Sequence, residues 1–299
     1  MNSANARSAT LIGCIAIALW STLAGLTVAT GTIPPFELAA LTFAIGGLLG
    51  LAYTAWRGRL AALWQPWPVW LLGVGGLFGY HALYFAALKL APPAQAGLIA
   101  YLWPLLIVLL SAFLPGGGLA PRHILGAVLG FGGVVVLIYG RGEALSLPIQ
   151  ALRGFALALL CAFVWAIYSV LSRRFAGVPS EAIAGFCLVT AVLAAAAHQM
   201  FETSVWPAHL NPWLAIVALG SGPVGLAFYV WDYGVKHGDI RFLGVASYAA
   251  PVLSTLILIA FGAAPANATL ALACVMIVGG AVLAAPRTAQ NKTPAEAGV

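Results

Sequence analysis

The sequence predicts an all-α integral membrane protein of ten transmembrane helices, arranged as two inverted five-helix repeats with both termini cytoplasmic. Three observations carry this expectation: a shortage of charge, a series of apolar runs each long enough to cross a bilayer, and a self-match of the chain at a shift of 147 residues. Of the 299 residues, 63% are hydrophobic and 7% are charged. A soluble domain carries about 25% charged residues because its surface faces water. That comparison excludes a soluble enzyme, a nucleic-acid-binding module and a disordered chain. The formal charge of +6 comes from basic residues scattered singly between apolar runs. Such scatter suits membrane flanks rather than a phosphate-binding patch, so the expected partner is the lipid bilayer and not nucleic acid.

A helix needs about 20 apolar residues to cross the hydrocarbon core, and only helices or closed barrels cross it. The runs here are continuous rather than alternating, which indicates helices. Charge, proline and glycine punctuate them into ten spans near 9–29, 36–56, 68–89, 93–114, 121–140, 153–172, 180–200, 211–236, 239–261 and 265–285. The first run, Thr10 to Thr30, lacks a small-x-small cleavage site and reads as a span rather than a signal peptide. Short connections leave no room for a soluble domain. The division is 1–145 for the first repeat, 146–286 for the second and 287–299 for a disordered cytoplasmic tail. With the N-terminus inside, ten basic residues (Arg7, Arg57, Arg59, Arg122, Arg173, Arg174, Lys236, Arg241, Arg287, Lys292) face three outside (Lys89, Arg141, Arg153). Positive loops stay cytoplasmic. Cys14, Cys161, Cys187 and Cys274 sit singly in apolar stretches and read as small fillers, with no metal site or disulfide framework.

At the 147-residue shift Gly73, Gly75, Lys89, Gly97, Tyr101 and Pro104 fall on Gly220, Gly222, Lys236, Gly244, Tyr248 and Pro251, and Gly132-Gly133-Val134 falls on Gly279-Gly280-Ala281. In the first two spans the shift drifts slightly, so that Trp20 pairs with Trp165 and Glu37 with Glu181. Five spans is an odd number, so the second half runs upside down, as in alternating-access transporters.

With these features the chain resembles the drug/metabolite transporter superfamily, and within it the EamA-type ten-helix transporters. The Gly-Gly pair near the end of each half, G-G-V in the first and G-G-A in the second, carries that resemblance, which covers essentially the whole chain. The stretch GYHALYFAALKLAPPAQAGLIAYLWPLL across spans three and four is similar to the aromatic amino acid exporters of the YddG type. The resemblance implies export of small amphipathic metabolites, above all aromatic amino acids, across the bacterial inner membrane. It implies no cofactor, and a monomer is expected.

Interrupted helices at matching places point to the substrate site of a transporter. Gly75 and Gly79 loosen span three, Gly222 and Pro223 loosen span eight, and Pro104 and Pro251 interrupt spans four and nine. These six are the expected hinge and gating positions. Trp56, Trp64, Trp67, Trp70, Trp206 and Trp213 lie near span ends and suit an interfacial belt. By contrast Trp20, Trp103 and Trp165 lie within spans. Tyr80 and Tyr84 share a face of span three, Tyr101 and Tyr248 match across the repeat, and Ser247, Pro251 and Ser254 share a face of span nine. A hydroxyl in hydrocarbon needs a partner, so these groups should face a cavity or a helix interface. Aromatic walls with a few hydroxyls suit a flat amphipathic solute. The expected substrate-binding set is therefore Trp20, Tyr80, His81, Tyr84, Tyr101, Trp103, Trp165, Ser247, Tyr248 and Ser254.

Ionisable residues at membrane depth are few: His81, His198 and Asp232. Asp232 precedes Lys236 by four and reads as an ion pair near the headgroups, with a gate contact or proton relay as the alternative. His198 is expected to reach the interface, and Glu37 and Glu181 to cap the helices they begin. Spans one and six hold no carboxylate, whereas the proton/cation exchangers of the resembled superfamily use one. Facilitated movement of a neutral or zwitterionic solute is the expectation. The rivals are a proton-coupled exporter of drugs or other metabolites and a lipid-modifying membrane enzyme, for which no catalytic constellation is visible.

Overall fold

The computed structural model describes residues 3–115, 119–139, 149–260 and 268–285. The junction between the halves at 145–146 and the tail 287–299 lie outside the described residues. Within them the secondary structure is helical. Nine helices are long and apolar enough to cross a membrane, and Ala268–Ala284 is a shorter apolar one. The chain is a multi-pass membrane protein with the ten spans that the hydropathy predicts.

Span one is Ser3–Ser21, continued after a turn at Thr22 by Leu23–Ala29. Spans two and three are Pro35–Trp56 and Trp67–Leu90. Span four is split into Pro93–Ala100 and Trp103–Leu110, and span five is Pro121–Tyr139. Spans six and seven are Leu152–Ser172 and Ile183–Phe201. Span eight runs Leu210–Ser221, widens into a π turn at Gly222–Leu226 and resumes as Ala227–His237. Span nine is split into Ile240–Ala246 and Ala249–Ala260, and span ten is Ala268–Ala284. Proline in the first turn begins spans two, three and four, where its missing N–H costs no hydrogen bond.

The breaks fall at three of the four expected interruptions. Pro104 and Pro251 each lie in the first turn after a gap in a span, because a proline has no N–H to donate to the i−4 carbonyl and its ring pushes on the preceding turn. Span eight opens at Gly222-Pro223, as expected. Span three does not: Trp67–Leu90 is one unbroken helix, with no break at Gly75 or Gly79. Without a proline every backbone N–H there stays in the ladder, and the glycines of this stretch serve packing instead. Phe186 lies against Gly73 and Tyr168 against Gly76, while Gly75 faces outward with nothing within 4 Å.

Four helix pairings dominate the packing: span one on eight, three on six, two on seven and five on ten. Exchanging each span of the first half for the span five later returns the same four pairings. Large apolar side chains such as Leu48, Leu71, Val192, Val217, Val275 and Val282 are exposed on the outer helix faces, where lipid tails would cover them. Between the helices, small residues let backbones approach. A Cβ on Gly126 would stand 2.6 Å from the carbonyl oxygen of Gly280, and one on Gly46 would stand 2.7 Å from Cα of Gly225 in the π turn.

Side chains tie the two ends of the bundle. At the end rich in Lys and Arg, Arg59 pairs with Glu181. Arg173 donates to the carbonyls of Val235 and Gly238 at 2.9 and 2.8 Å, closing the C-terminus of span eight. Asp239 caps span nine by accepting from the N–H groups of Arg241 and Phe242. At the opposite end the expectation for Glu37 is corrected. The carboxylate of Glu202 accepts the N–H groups of Phe36 and Glu37, whereas Glu37 reaches away to the N–H of Val205 at 2.9 Å. His198, in the last turn of span seven, is likewise covered by protein: it is 5% exposed and bonds Glu202 at 3.0 Å and Ser204 at 2.8 Å. Both differences have one cause, since the loop after span seven folds back over the start of span two. The belt expectation fits Trp56, Trp64, Trp67 and Trp206, all exposed. Trp70 instead packs edge-on to Phe186, inside the contact of spans three and seven.

Candidate functional site

Aromatic side chains from six spans meet at the centre of the bundle. Trp20 of span one stands edge-to-face with Trp103 of span four at 6.1 Å and with Trp165 of span six at 5.8 Å. Trp231 of span eight approaches Trp20 at 5.1 Å and Trp103 at 5.8 Å, and Phe228, one turn earlier, lies 6.3 Å from Trp20. Tyr80 of span three lies 5.5 Å from Trp165 and is stacked on Tyr84 at 6.0 Å. His81 adds an edge against Phe43 and Tyr80 at 5.0 and 5.3 Å. Its Nδ1 donates to the carbonyl of Leu77 at 2.8 Å, which places the proton of a neutral ring on Nδ1. The rings touch one another at the usual separations of edge-to-face and tilted pairs.

Two indole N–H groups of this cage find partners in the surrounding helices. The indole N–H of Trp20 donates to the carbonyl of Pro223 at 3.1 Å, inside the π turn of span eight. A π turn widens the helix and leaves its carbonyls poorly served, so an outside donor is needed there. The indole N–H of Trp231 donates to the hydroxyl of Ser169 at 3.1 Å. The cage is thereby fixed to the π turn of span eight and to span six.

Of the ten expected binding residues, the structure gathers Trp20, Tyr80, His81, Tyr84, Trp103 and Trp165 into this cage. It places the others elsewhere. Tyr248 is wholly buried among spans four, five, nine and ten, beside Gly130 and Phe131, and Ser247 bonds the carbonyl of Leu243 in its own helix. Tyr101, at the break in span four, packs against the cluster around Tyr248, and Ser254 is half-buried further along span nine. Ser247, Tyr248 and Ser254 lie past the cage because they follow span nine towards spans five and ten, whereas Tyr101 stays near enough to Tyr80 to interact with it. Phe43, Phe228 and Trp231 belong to the cage and were not singled out from the sequence.

Tyr248 has a structural task. Its hydroxyl accepts the N–H of Leu105 at 3.1 Å, in the first turn of the second half of span four. The two interrupted helices are thus joined at their breaks. Tyr248→Phe should leave that N–H buried and unpaired, lowering stability by about 1–3 kcal/mol. A melt of the purified carrier in detergent would register the loss, with substrate affinity left near that of the wild type. An unchanged melting temperature would show that the bond carries no stability.

Towards the basic end, directly after Trp231 in span eight, the Asp232–Lys236 pair is closed at 2.8 Å with both side chains buried. The expectation of an i,i+4 pair is right in its partners, and both side chains are buried within the protein, in the last turns of span eight.

The profile of the EamA-like transporter family matches residues 7–139 and again residues 152–285. Among curated proteins, the aromatic amino acid exporter YddG of Ancylobacter novellus is 60% identical over 278 residues, covering 93% of this chain and 96% of its own. The proteins of the same name from Salmonella typhimurium and Escherichia coli are 28% and 27% identical, each again with 93% and 96% coverage. A solved crystal structure superposes with a TM-score of 0.91 at 60% identity, covering 93% of this chain and 96% of the other. The match spans both halves and nearly the full length of these relatives, so the chain is a member of the EamA-like transporter family.

Proposed function

We propose that this carrier exports aromatic amino acids across the inner membrane by alternating access, and that it does so as a facilitator. The observation that carries the substrate is the cage itself. Its rings fill the centre of the bundle in mutual contact, so a substrate enters only by replacing ring–ring contacts. An aromatic side chain does this at little cost, because edge-to-face partners are exchanged for others of the same kind. An aliphatic or charged side chain forfeits them. The similarity to three exporters named for aromatic amino acids supports the same reading.

The two five-span halves are read as inverted repeats. The fourfold pairing that survives exchange of the halves supports this, as do the breaks at Pro104 and Pro251. Alternating access would then consist of one half rocking on the other around the cage, bending at the breaks in spans four, eight and nine. The protein is taken as a monomer with both termini in the cytoplasm.

Uptake and counterflow in liposomes with radiolabelled Phe, Trp, Ala and Lys, with and without a pH gradient, test this. Saturable transport of Phe and Trp over Ala and Lys, independent of the gradient, is expected. Transport of Lys or Ala in preference would overturn the substrate, and strict dependence on the gradient would overturn the facilitated mechanism.

A further inference from the structure

A second polar site lies between the cage and the basic end. Asp232 and Lys236 face each other at 2.8 Å with side chains 2% and 5% exposed. The hydroxyl of Ser180 donates to the same carboxylate oxygen at 2.6 Å, and the Lys236 ammonium also donates to the carbonyl of Val178 at 3.0 Å. Both side chains line a cavity of about 10 Å³, room for one water molecule, whose other walls include Val69, Phe175 and Phe186. Tyr168 lines it too. That residue is 2% exposed, its phenol oxygen has no hydrogen-bond partner among the described residues, and its ring stands 5.2 Å from Trp165 of the cage.

Two charges taken out of water are seldom the most stable choice, and apolar side chains of the same volume often serve stability better. The pair therefore calls for a functional reason, and the arrangement offers one. A carboxylate and an ammonium in contact, beside an unused hydroxyl and an apolar wall, mirror the head group of an α-amino acid. A zwitterion arriving from the basic end could exchange partners with the pair. Its ammonium would go to Asp232 and its carboxylate to Lys236, with the Tyr168 hydroxyl donating to that carboxylate. Net charge stays constant and no charge is left alone. A ligand with only one of the two charges would strand either Asp232 or Lys236 in the interior, which disfavours it.

We propose that Asp232, Lys236 and Tyr168 form a loading site for the head group of a zwitterionic α-amino acid, from which the ring passes to the cage past Trp165. In the closed arrangement seen here the ion pair occupies the site itself. The inference rests on the export of aromatic amino acids proposed above.

The test is inhibition of labelled phenylalanine uptake into proteoliposomes by two analogues, phenethylamine, which has only the ammonium, and 3-phenylpropionate, which has only the carboxylate. Wild type should admit both at least about tenfold less well than phenylalanine. The selectivity should then cross. Lys236→Gln admits phenethylamine, which still pairs with Asp232, and Asp232→Asn admits 3-phenylpropionate, which still pairs with Lys236. Should a lone buried charge prevent folding of either, the double variant Asp232→Asn/Lys236→Gln carries none. It is expected to raise KM for phenylalanine about tenfold and to abolish discrimination against both analogues. A pair that merely holds the end shut would change rates and leave the order of inhibitors as in the wild type; that result overturns the loading site. Absence of phenylalanine uptake by the wild type overturns instead the export reading on which it rests.

Discussion

Replacing Trp165 with alanine is expected to destabilise the carrier and to abolish most of its transport. The residue is 4% exposed and touches six aromatic rings: Trp20, Tyr80, Trp103, Tyr168, Phe228 and Trp231, at centroid separations from 5.2 to 6.4 Å. Lipid tails are as apolar as this interior, so the loss is one of packing and cavity formation and not of removal from water. Buried Trp→Ala changes cost about 3–5 kcal/mol in soluble cores, with each aromatic pair contributing about 0.5–1.5 kcal/mol. Losing about 3 kcal/mol of substrate contact would lower affinity on the order of a hundredfold. Trp165→Phe keeps most of the ring contacts and should fall between the two. Thermal unfolding in detergent together with phenylalanine counterflow separates the effects. A Trp165→Ala carrier that unfolds early yet transports normally would place the substrate away from the cage.

Trp20 makes a sharper contrast, because its ring and its N–H act on different things. Trp20→Phe retains an aromatic surface facing Trp103 and Trp165 but strands the carbonyl of Pro223. The structure therefore assigns this variant a defect in the π turn of span eight, on the order of 1–3 kcal/mol, while the aromatic face of the cage survives.

The spans were legible in the sequence because the bilayer imposes a length, and breaks at Pro104 and Pro251 were legible because proline carries its own mechanism. Glycine carries none. Gly75 and Gly222 occupy matching places, yet only Gly222, next to a proline, stands at an opening. Most of the cage was readable from tryptophans placed within spans. The part that was missed lay in the repeat: the same 147-residue shift that pairs Tyr101 with Tyr248 carries His81 onto Phe228 and Tyr84 onto Trp231. Applied to every aromatic residue of span three, it would have nominated both. Phe43 has no such signal, since a phenylalanine in an apolar helix looks the same whether it faces lipid or a cage. Tyr248 shows the converse. Its match to Tyr101 suggested a shared role at the site, but a hydroxyl in hydrocarbon needs only a partner, and the backbone freed by Pro104 supplied one.

Glycine positions give the other large contrast, between spans five and ten and span three. Gly126 and Gly280 face each other where those two helices cross. A Cβ on Gly280 would stand 2.5 Å from the carbonyl oxygen of Gly126, and one on Gly126 would stand 2.6 Å from that of Gly280. The obstacle on both sides is backbone, which cannot turn aside as a flexible side chain does, so the helices must separate. Overpacking that side chains can absorb costs about 1–3 kcal/mol; here Gly280→Val should exceed that range and remove the folded carrier, with Gly280→Ala intermediate. Gly75 is outward-facing with nothing within 4 Å, in a helix with no break. Alanine there should be neutral or stabilising by up to about 1 kcal/mol through helix propensity. Yield of monodisperse protein after detergent extraction and the melting temperature score both variants. Because a true hinge needs the freedom that glycine provides, a Gly75→Ala carrier that melts normally but transports slowly would restore span three to the moving parts, whereas wild-type transport leaves bending to spans four, eight and nine.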